Sequence, residues 1–191
     1  MPPRKPEPPF AISDAEREII HAARLAFSDA YDCGQLEDMA ADLGLPLWVF
    51  RWAAHGACGL GIHKGMLAYL YPQGMKLRRP QGKPRFLWEL GKPTGPWRAE
   101  WIQDAETVYL TEGESDCMAL LAAGLEADGT AACVASPGTS FPEAWAPLFK
   151  GKRVVLCFDS DEAGRTAAAK VAAILKPHAA RVQQWKGRTA R

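Results

Sequence analysis

The sequence has little of what a membrane or secreted protein needs. No run of apolar residues in the 191-residue chain approaches the roughly 20 that a helix needs to cross a bilayer. The first nine residues, MPPRKPEPP, are too polar for a secretory signal peptide. We therefore expect a cytoplasmic protein without a membrane partner, and a flexible arm over residues 1–12.

Two cofactor-binding motifs are also missing. The five cysteines form no C-x-x-C pair, and His55, Cys58 and His63 lack the paired spacing of a zinc site, so no zinc is expected. No G-x-x-x-x-G-K-[ST] loop is present, which excludes a fused nucleotide-driven helicase of that type.

Positive charge is concentrated in one part of the chain. The net charge is only +1, yet residues 64–101 hold eight basic residues against two acids, leaving −5 for the rest. Basic residues that alternate with aromatics suit a single strand of nucleic acid, since phosphates meet cations while bases stack. The alternative is an antiparallel sheet with a solvated basic face and its tryptophans in the core. The predicted nucleic-acid contacts here are Lys76, Arg78, Arg79, Lys83, Arg85, Trp88 and Lys92.

The N-terminal half divides into two predicted segments. Residues 13–63 begin with a capping box at Ser13 and Glu16 and continue as short helices, two of which meet at LGLP like a helix-turn-helix. This pair is either a DNA reader or a helical cap on the main domain, and its large apolar residues favour the cap. Residues 64–105 are predicted as a basic, β-rich lobe with a hairpin over 66–79 that turns at Gln73-Gly74.

From residue 106 onward, strand and helix patterns alternate. Apolar runs at 108–110, 131–135, 153–158 and 180–185 predict strands, and 118–123, 142–150 and 162–175 predict helices. This alternation predicts an α/β domain over residues 106–191, with a parallel sheet of about four strands flanked by helices.

Two of these strands end abruptly in acids. VYLTEGESD brings Glu112 to the end of one strand, and RVVLCFDSDEAG brings Asp159 and Asp161 to the end of another. In a parallel sheet these ends share an edge, where α/β proteins bind ligands. Clustered carboxylates need a cation, and Mg²⁺ (or Mn²⁺) takes oxygen ligands. The alternative for Asp159-Ser160-Asp161 is a simple helix cap.

Taken together, the two acidic motifs resemble the TOPRIM domain of bacterial and phage DNA primases, topoisomerases and certain nucleases. The resemblance implies that Glu112 is a general acid/base or metal ligand and that Asp159 and Asp161 hold Mg²⁺. It further implies that Asp116 and Glu114 widen the metal site. Gly113 would let the backbone pass close to a substrate phosphate. The cysteine-rich zinc module that usually precedes a primase core is absent, and primases usually continue beyond the position of Arg191.

The resemblance implies a primase-like nucleotidyltransferase of phage or mobile-element type. It would make RNA primers from nucleotides on single-stranded DNA, possibly beside a separate replicative helicase. One alternative is a TOPRIM nuclease that cleaves DNA or RNA. Another is a non-enzymatic nucleic-acid-binding accessory of replication.

Overall fold

The computed structural model describes residues 12–185, so almost all of the predicted arm lies outside it. Three helices come first. The capping box at the start of the first helix is confirmed: the Ser13 hydroxyl accepts a bond from the Glu16 N–H, and the Glu16 carboxylate accepts one from the Ser13 N–H. The helices are α1 (Asp14–Asp32), α2 (Glu37–Leu43) and α3 (Leu47–Ala54).

An antiparallel sheet follows, with its strands in chain order. Its strands are β1 (Leu60–His63), β2 (Met66–Tyr71), β3 (Gly74–Arg78) and β4 (Phe86–Gly91). The predicted hairpin is present, with Gln73 at a positive φ of 58° in the turn. Strand β1 lies where only helices were predicted. Gly61 interrupts the alternation of apolar and polar residues that would predict a strand. It also lets β1 pack closely on α1, because a Cβ on Gly61 would stand 3.0 Å from that of Ala23.

The predicted α/β architecture of the C-terminal part is confirmed. A four-stranded parallel sheet has the order β6-β5-β7-β8. Its strands are β5 (Thr107–Thr111), β6 (Ala131–Ala135), β7 (Arg153–Cys157) and β8 (Arg181–Gln184), with helices α4 (Glu114–Ala122) and α5 (Glu162–Leu175). The helix predicted after Pro142 is a 3₁₀ helix, Glu143–Phe149, since Pro147 inside it cannot donate a backbone hydrogen bond.

The strand order creates a crevice at one edge of this sheet. The chain leaves β5 toward β6 on one side and leaves β7 toward β8 on the other. The carboxyl ends of β5 and β7 therefore flank the point where the winding reverses. Such a point is the usual ligand-binding position of open α/β sheets.

The antiparallel sheet packs on both of its faces. One face, with Leu70 and Leu77, packs on α1. The other face shares a core with α2, α3 and α4, in which Val49 and Phe50 of α3 are fully buried. Helix α3 thus uses its apolar face for packing, as the cap interpretation requires. Residues on both sides of positions 63 and 105 contribute to this core. The domain boundaries predicted at these two positions stay predictions.

No helix within residues 12–185 is long and apolar enough to cross a membrane.

Candidate active site

Two of the predicted acids lie at the ends of neighbouring strands. Thr111 pairs in register with Cys157, the last residue of β7. Glu112 follows Thr111 directly, and Asp159 follows Cys157 by two residues. The sheet thus brings together carboxylates that are far apart in the sequence, at the crevice between β5 and β7.

Glu112 lies among the other acids of this edge and is affected by their negative charges. Its Oε2 atom is buried and has no hydrogen-bond partner within residues 12–185. Burial raises the pKa of Glu112, and the negative charges of Asp159 and Asp161 raise it further, while the backbone N–H of Asp159 partly offsets them. A buried carboxylate oxygen beside like charges is unfavourable unless a cation or a proton joins it.

Asp116 belongs to the same group of acids. It lies in the first turn of α4, and its pKa is raised by burial and then by the charges of Asp159 and Glu114. Gly113 precedes this turn, and a Cβ there would stand 3.2 Å from Asp116 Oδ2. The glycine therefore leaves room beside Asp116, while its contact with a phosphate stays a prediction.

Asp161 has the capping role that was one of the two alternatives for the aspartate pair, and its role as a metal ligand stays a prediction. Its Oδ1 caps α5 by accepting a 2.7 Å hydrogen bond from the Gly164 N–H. Capping uses one of the two carboxylate oxygens, and the charge still acts on Glu112. Gly164 has a second role that the sequence did not indicate: a Cβ there would come within 2.3 Å of the Asp159 carbonyl oxygen, so only glycine allows this approach.

The acids fit a hard divalent cation by their chemistry. Within residues 12–185, no three or more His, Cys, Asp or Glu side chains are arranged as a ready-made metal site. However, the unpartnered Glu112 oxygen and the raised pKa of Asp116 both indicate a place where positive charge would lower the energy. An all-carboxylate donor set suits Mg²⁺ or Mn²⁺. The acids at this edge that could hold the ion are Glu112, Asp116, Asp159 and Asp161.

The basic residues predicted to contact nucleic acid divide into two groups. The structure corrects the predicted nucleic-acid contact of Lys76. This residue is only 6% exposed and forms a 2.8 Å ion pair with Glu114, so its charge is used inside the protein. Arg78 is similar, since its side chain is 10% exposed and pairs with Asp42 of α2. Arg85 pairs with the same Asp42 but stays partly exposed.

The remaining predicted contacts lie around β4. Lys83 and Lys92 are exposed, and Arg79 is partly exposed. Trp88 is 42% exposed, with its ring edge against Tyr71 at a centroid distance of 5.1 Å. A surface that combines aromatic faces with cations therefore remains at this edge of the antiparallel sheet.

The sequence missed a buried connection between the two sheets. Tyr71 of β2 donates a hydrogen bond to Glu114, which is 2% exposed and also pairs with Lys76. Glu114 was predicted to widen the metal site, and the structure instead directs it toward the antiparallel sheet. Tyrosine in an apolar strand pattern is typical of core packing, and nothing in the pattern indicates its hydroxyl's partner.

Comparisons with known proteins agree with this geometry. Residues 109–188 match a family model described as Toprim-like, Toprim_2. The fold is similar to the crystal structure of the primase fragment of bacteriophage T7 primase-helicase protein, with a TM-score of 0.55 and 17% identity. The similarity covers 75% of this chain and 62% of that chain, so it extends beyond the residues of the family match. No curated protein matches the sequence.

Proposed function

We propose that this chain, which carries a TOPRIM domain of the primase type, is a magnesium-dependent nucleotidyltransferase that makes RNA primers on single-stranded DNA. The observation that carries the proposal is the buried, unpartnered Oε2 of Glu112 beside Asp159 at the β5–β7 crevice. Phosphoryl transfer needs a bound divalent cation and a group that can move a proton, and the acids at this edge suit both roles.

The acids would divide the work by position. Asp159, Asp116 and the free oxygen of Asp161 would hold the ion, which when bound would neutralise charge on the nucleotide phosphates. Burial and the neighbouring acids raise the pKa of Glu112, which suits a group that accepts a proton at Oε2 from an attacking hydroxyl. Manganese would serve in place of magnesium because it favours the same oxygen ligands.

The β4 surface would bind the template strand. Trp88 offers a ring on which a base can stack, and Lys83 and Lys92 offer charge to the phosphates. The bacteriophage T7 fragment of similar fold belongs to a primase-helicase protein, and we propose a separate helicase as a partner of this chain. As a replication protein, the chain would act in the cytoplasm.

The direct test is primer synthesis by purified protein on single-stranded DNA with labelled ribonucleotides and Mg²⁺ or Mn²⁺. We expect labelled oligonucleotides that disappear with a chelator and fall by roughly a hundredfold or more in Asp159→Asn. Asp104→Asn is the matched control, since Asp104 is an exposed acid outside the crevice, and it should leave synthesis unchanged.

Other outcomes would identify the alternatives. Shortening of labelled DNA without added nucleotides, lost in Asp159→Asn, would replace the proposal with a nuclease. Salt-sensitive strand binding with no metal-dependent chemistry, where a control primase is active, would replace it with a non-enzymatic accessory.

A further inference from the structure

A buried ionic cluster connects the antiparallel sheet to the first turn of α4. Its members, Lys76 of β3, Tyr71 of β2 and Glu114 of α4, are 6%, 3% and 2% exposed. Lys76 Nζ lies 2.8 Å from Glu114 Oε1 and 3.2 Å from Oε2, and the Tyr71 hydroxyl donates to the same Oε1. Charges this deeply buried are costly to separate, so each member constrains the positions of the others.

Lys76 also reaches a second segment beside the acids. Its Nζ lies 3.4 Å from the Pro137 carbonyl oxygen, in the loop after β6. The ammonium group thus has three acceptors for its three N–H groups, and the Phe86 ring covers it at 4.5 Å. Helix α4 begins just after β5, so Lys76 connects the two segments that follow β5 and β6 at the carboxyl edge of the parallel sheet.

The cluster is close to one of the proposed metal-holding acids. Asp116 follows Glu114 by two residues in the same helical turn, and the Glu114 charge acts on it. Tyr69, on the same face of β2 as Tyr71, is fully buried, and its hydroxyl has no partner within residues 12–185. A change in the first turn of α4 would therefore move Asp116 and alter the field at the site.

We propose that Lys76, Tyr71 and Glu114 are positioning residues that hold Asp116 in place and so set the affinity of the acidic crevice for a divalent cation. The inference rests on the proposed function, because it assumes that the crevice binds such a cation. It assigns Lys76 a role inside the protein in place of contact with the template.

A second buried ion pair provides a matched control. Arg98 Nη2 lies 2.8 Å from Glu126 Oε2, with the side chains 0% and 5% exposed. The other hydrogen bonds of Arg98 go to the carbonyl oxygens of Cys133 and Trp52, and none goes to an acid of the crevice. Breaking this pair should destabilise the fold as breaking the Lys76 pair does, without moving Asp116.

The test is Mn²⁺ binding by metal-free full-length protein without nucleotide, followed by the electron paramagnetic resonance signal of free Mn²⁺. We expect Lys76→Met to raise the Mn²⁺ Kd roughly tenfold, the low end of the loss caused by removing a direct hydrogen-bond partner of a metal ligand, because Lys76 acts on Asp116 through Glu114. Arg98→Met should change the Kd by less than roughly twofold. Thermal unfolding of both variants compares their stabilities, which we expect to fall in each.

Two further variants keep the test decisive if Lys76→Met does not fold. Tyr71→Phe removes one hydrogen bond to Glu114 and should weaken Mn²⁺ binding several-fold, because only part of the free energy of that hydrogen bond is passed on to Asp116. Adding Glu114→Gln to Lys76→Met removes the unpaired buried charge, so it should recover part of the lost thermal stability while the Mn²⁺ affinity stays low.

Different results would contradict the positioning role and the proposed function. Wild-type affinity in both Lys76→Met and Tyr71→Phe, an equal loss in Arg98→Met, or wild-type affinity in the double variant would overturn the positioning role. If the unaltered protein shows no Mn²⁺ binding that Asp159→Asn removes, the proposed function fails, and the inference fails with it.

Discussion

At the scale of single residues, the ionised carboxylates of Glu112 and Asp116 destabilise the metal-free fold. Both have a pKa above the ordinary value, chiefly through burial and then through neighbouring acids. A raised carboxyl pKa means that the folded state holds the proton more tightly than the unfolded state does. The associated stability is therefore fully present below the unfolded pKa and is lost as the pH rises through the folded pKa.

This sign gives a prediction for Glu112→Gln. At neutral pH the metal-free variant should be more stable than the unaltered protein by about 0.5 kcal/mol, a small value because solvent screens part of the repulsion. The difference should shrink as the pH falls and vanish near pH 3, well below the unfolded pKa, where the carboxyl is protonated in both states. Urea denaturation at both pH values measures it.

Glu18→Gln is the control for that experiment, because Glu18 is an exposed acid on α1 and should show no gain. A Glu112→Gln variant that is less stable at neutral pH would mean that the Glu112 carboxylate has a partner that stabilises it in the fold.

At the scale of elements, β4 is the strand whose exposed side chains suit a nucleic acid. It forms the edge of the antiparallel sheet, and Phe86 and Trp88 are 38% and 42% exposed there. Helix α3 also exposes a tryptophan, Trp48, but its opposite face is part of the core. The two elements therefore make different predictions for strand binding.

We expect Trp88→Ala to weaken binding of single-stranded DNA by about 1–3 kcal/mol, the value of one stacked base. Replacing Lys83 and Lys92 with glutamine should make binding less sensitive to salt. The slope of log K against log salt concentration should become shallower by about 0.7 for each lost phosphate contact. Fluorescence anisotropy over a salt series measures both effects. Trp48→Ala should bind normally, and a loss there with normal binding in Trp88→Ala would move the interface to α3.

The sequence predicted these elements where local rules decide them. The box at Ser13 and the turn at Gln73 need only neighbouring residues, and both are present. Strand β1 was missed because a four-residue strand containing Gly61 shows no alternation, and its place depends on α1 packing across it. The helix predicted over 142–150 forms as a 3₁₀ helix, because Pro147 within it disfavours α-helical hydrogen bonding.

At the scale of the whole molecule, the acids were predictable and the buried ion pairs were not. Strand ends in a parallel sheet converge by topology, so Glu112 and Asp159 could be placed together from the sequence. Lysine and arginine are mostly exposed in proteins, so the sequence predicts Lys76 as a nucleic-acid contact and gives no sign that Arg98 is buried. Their burial depends on Glu114 and Glu126, which come 38 and 28 residues later in the chain.

The most direct test of the metal centre is a crystal of the protein soaked in Mn²⁺ and measured at the manganese absorption edge. We expect an anomalous peak at the crevice between β5 and β7, beside Glu112 and within coordinating distance of the Asp159 and Asp116 carboxylate oxygens. A well-diffracting soaked crystal with no peak at this edge, or with Mn²⁺ bound only elsewhere, would contradict it.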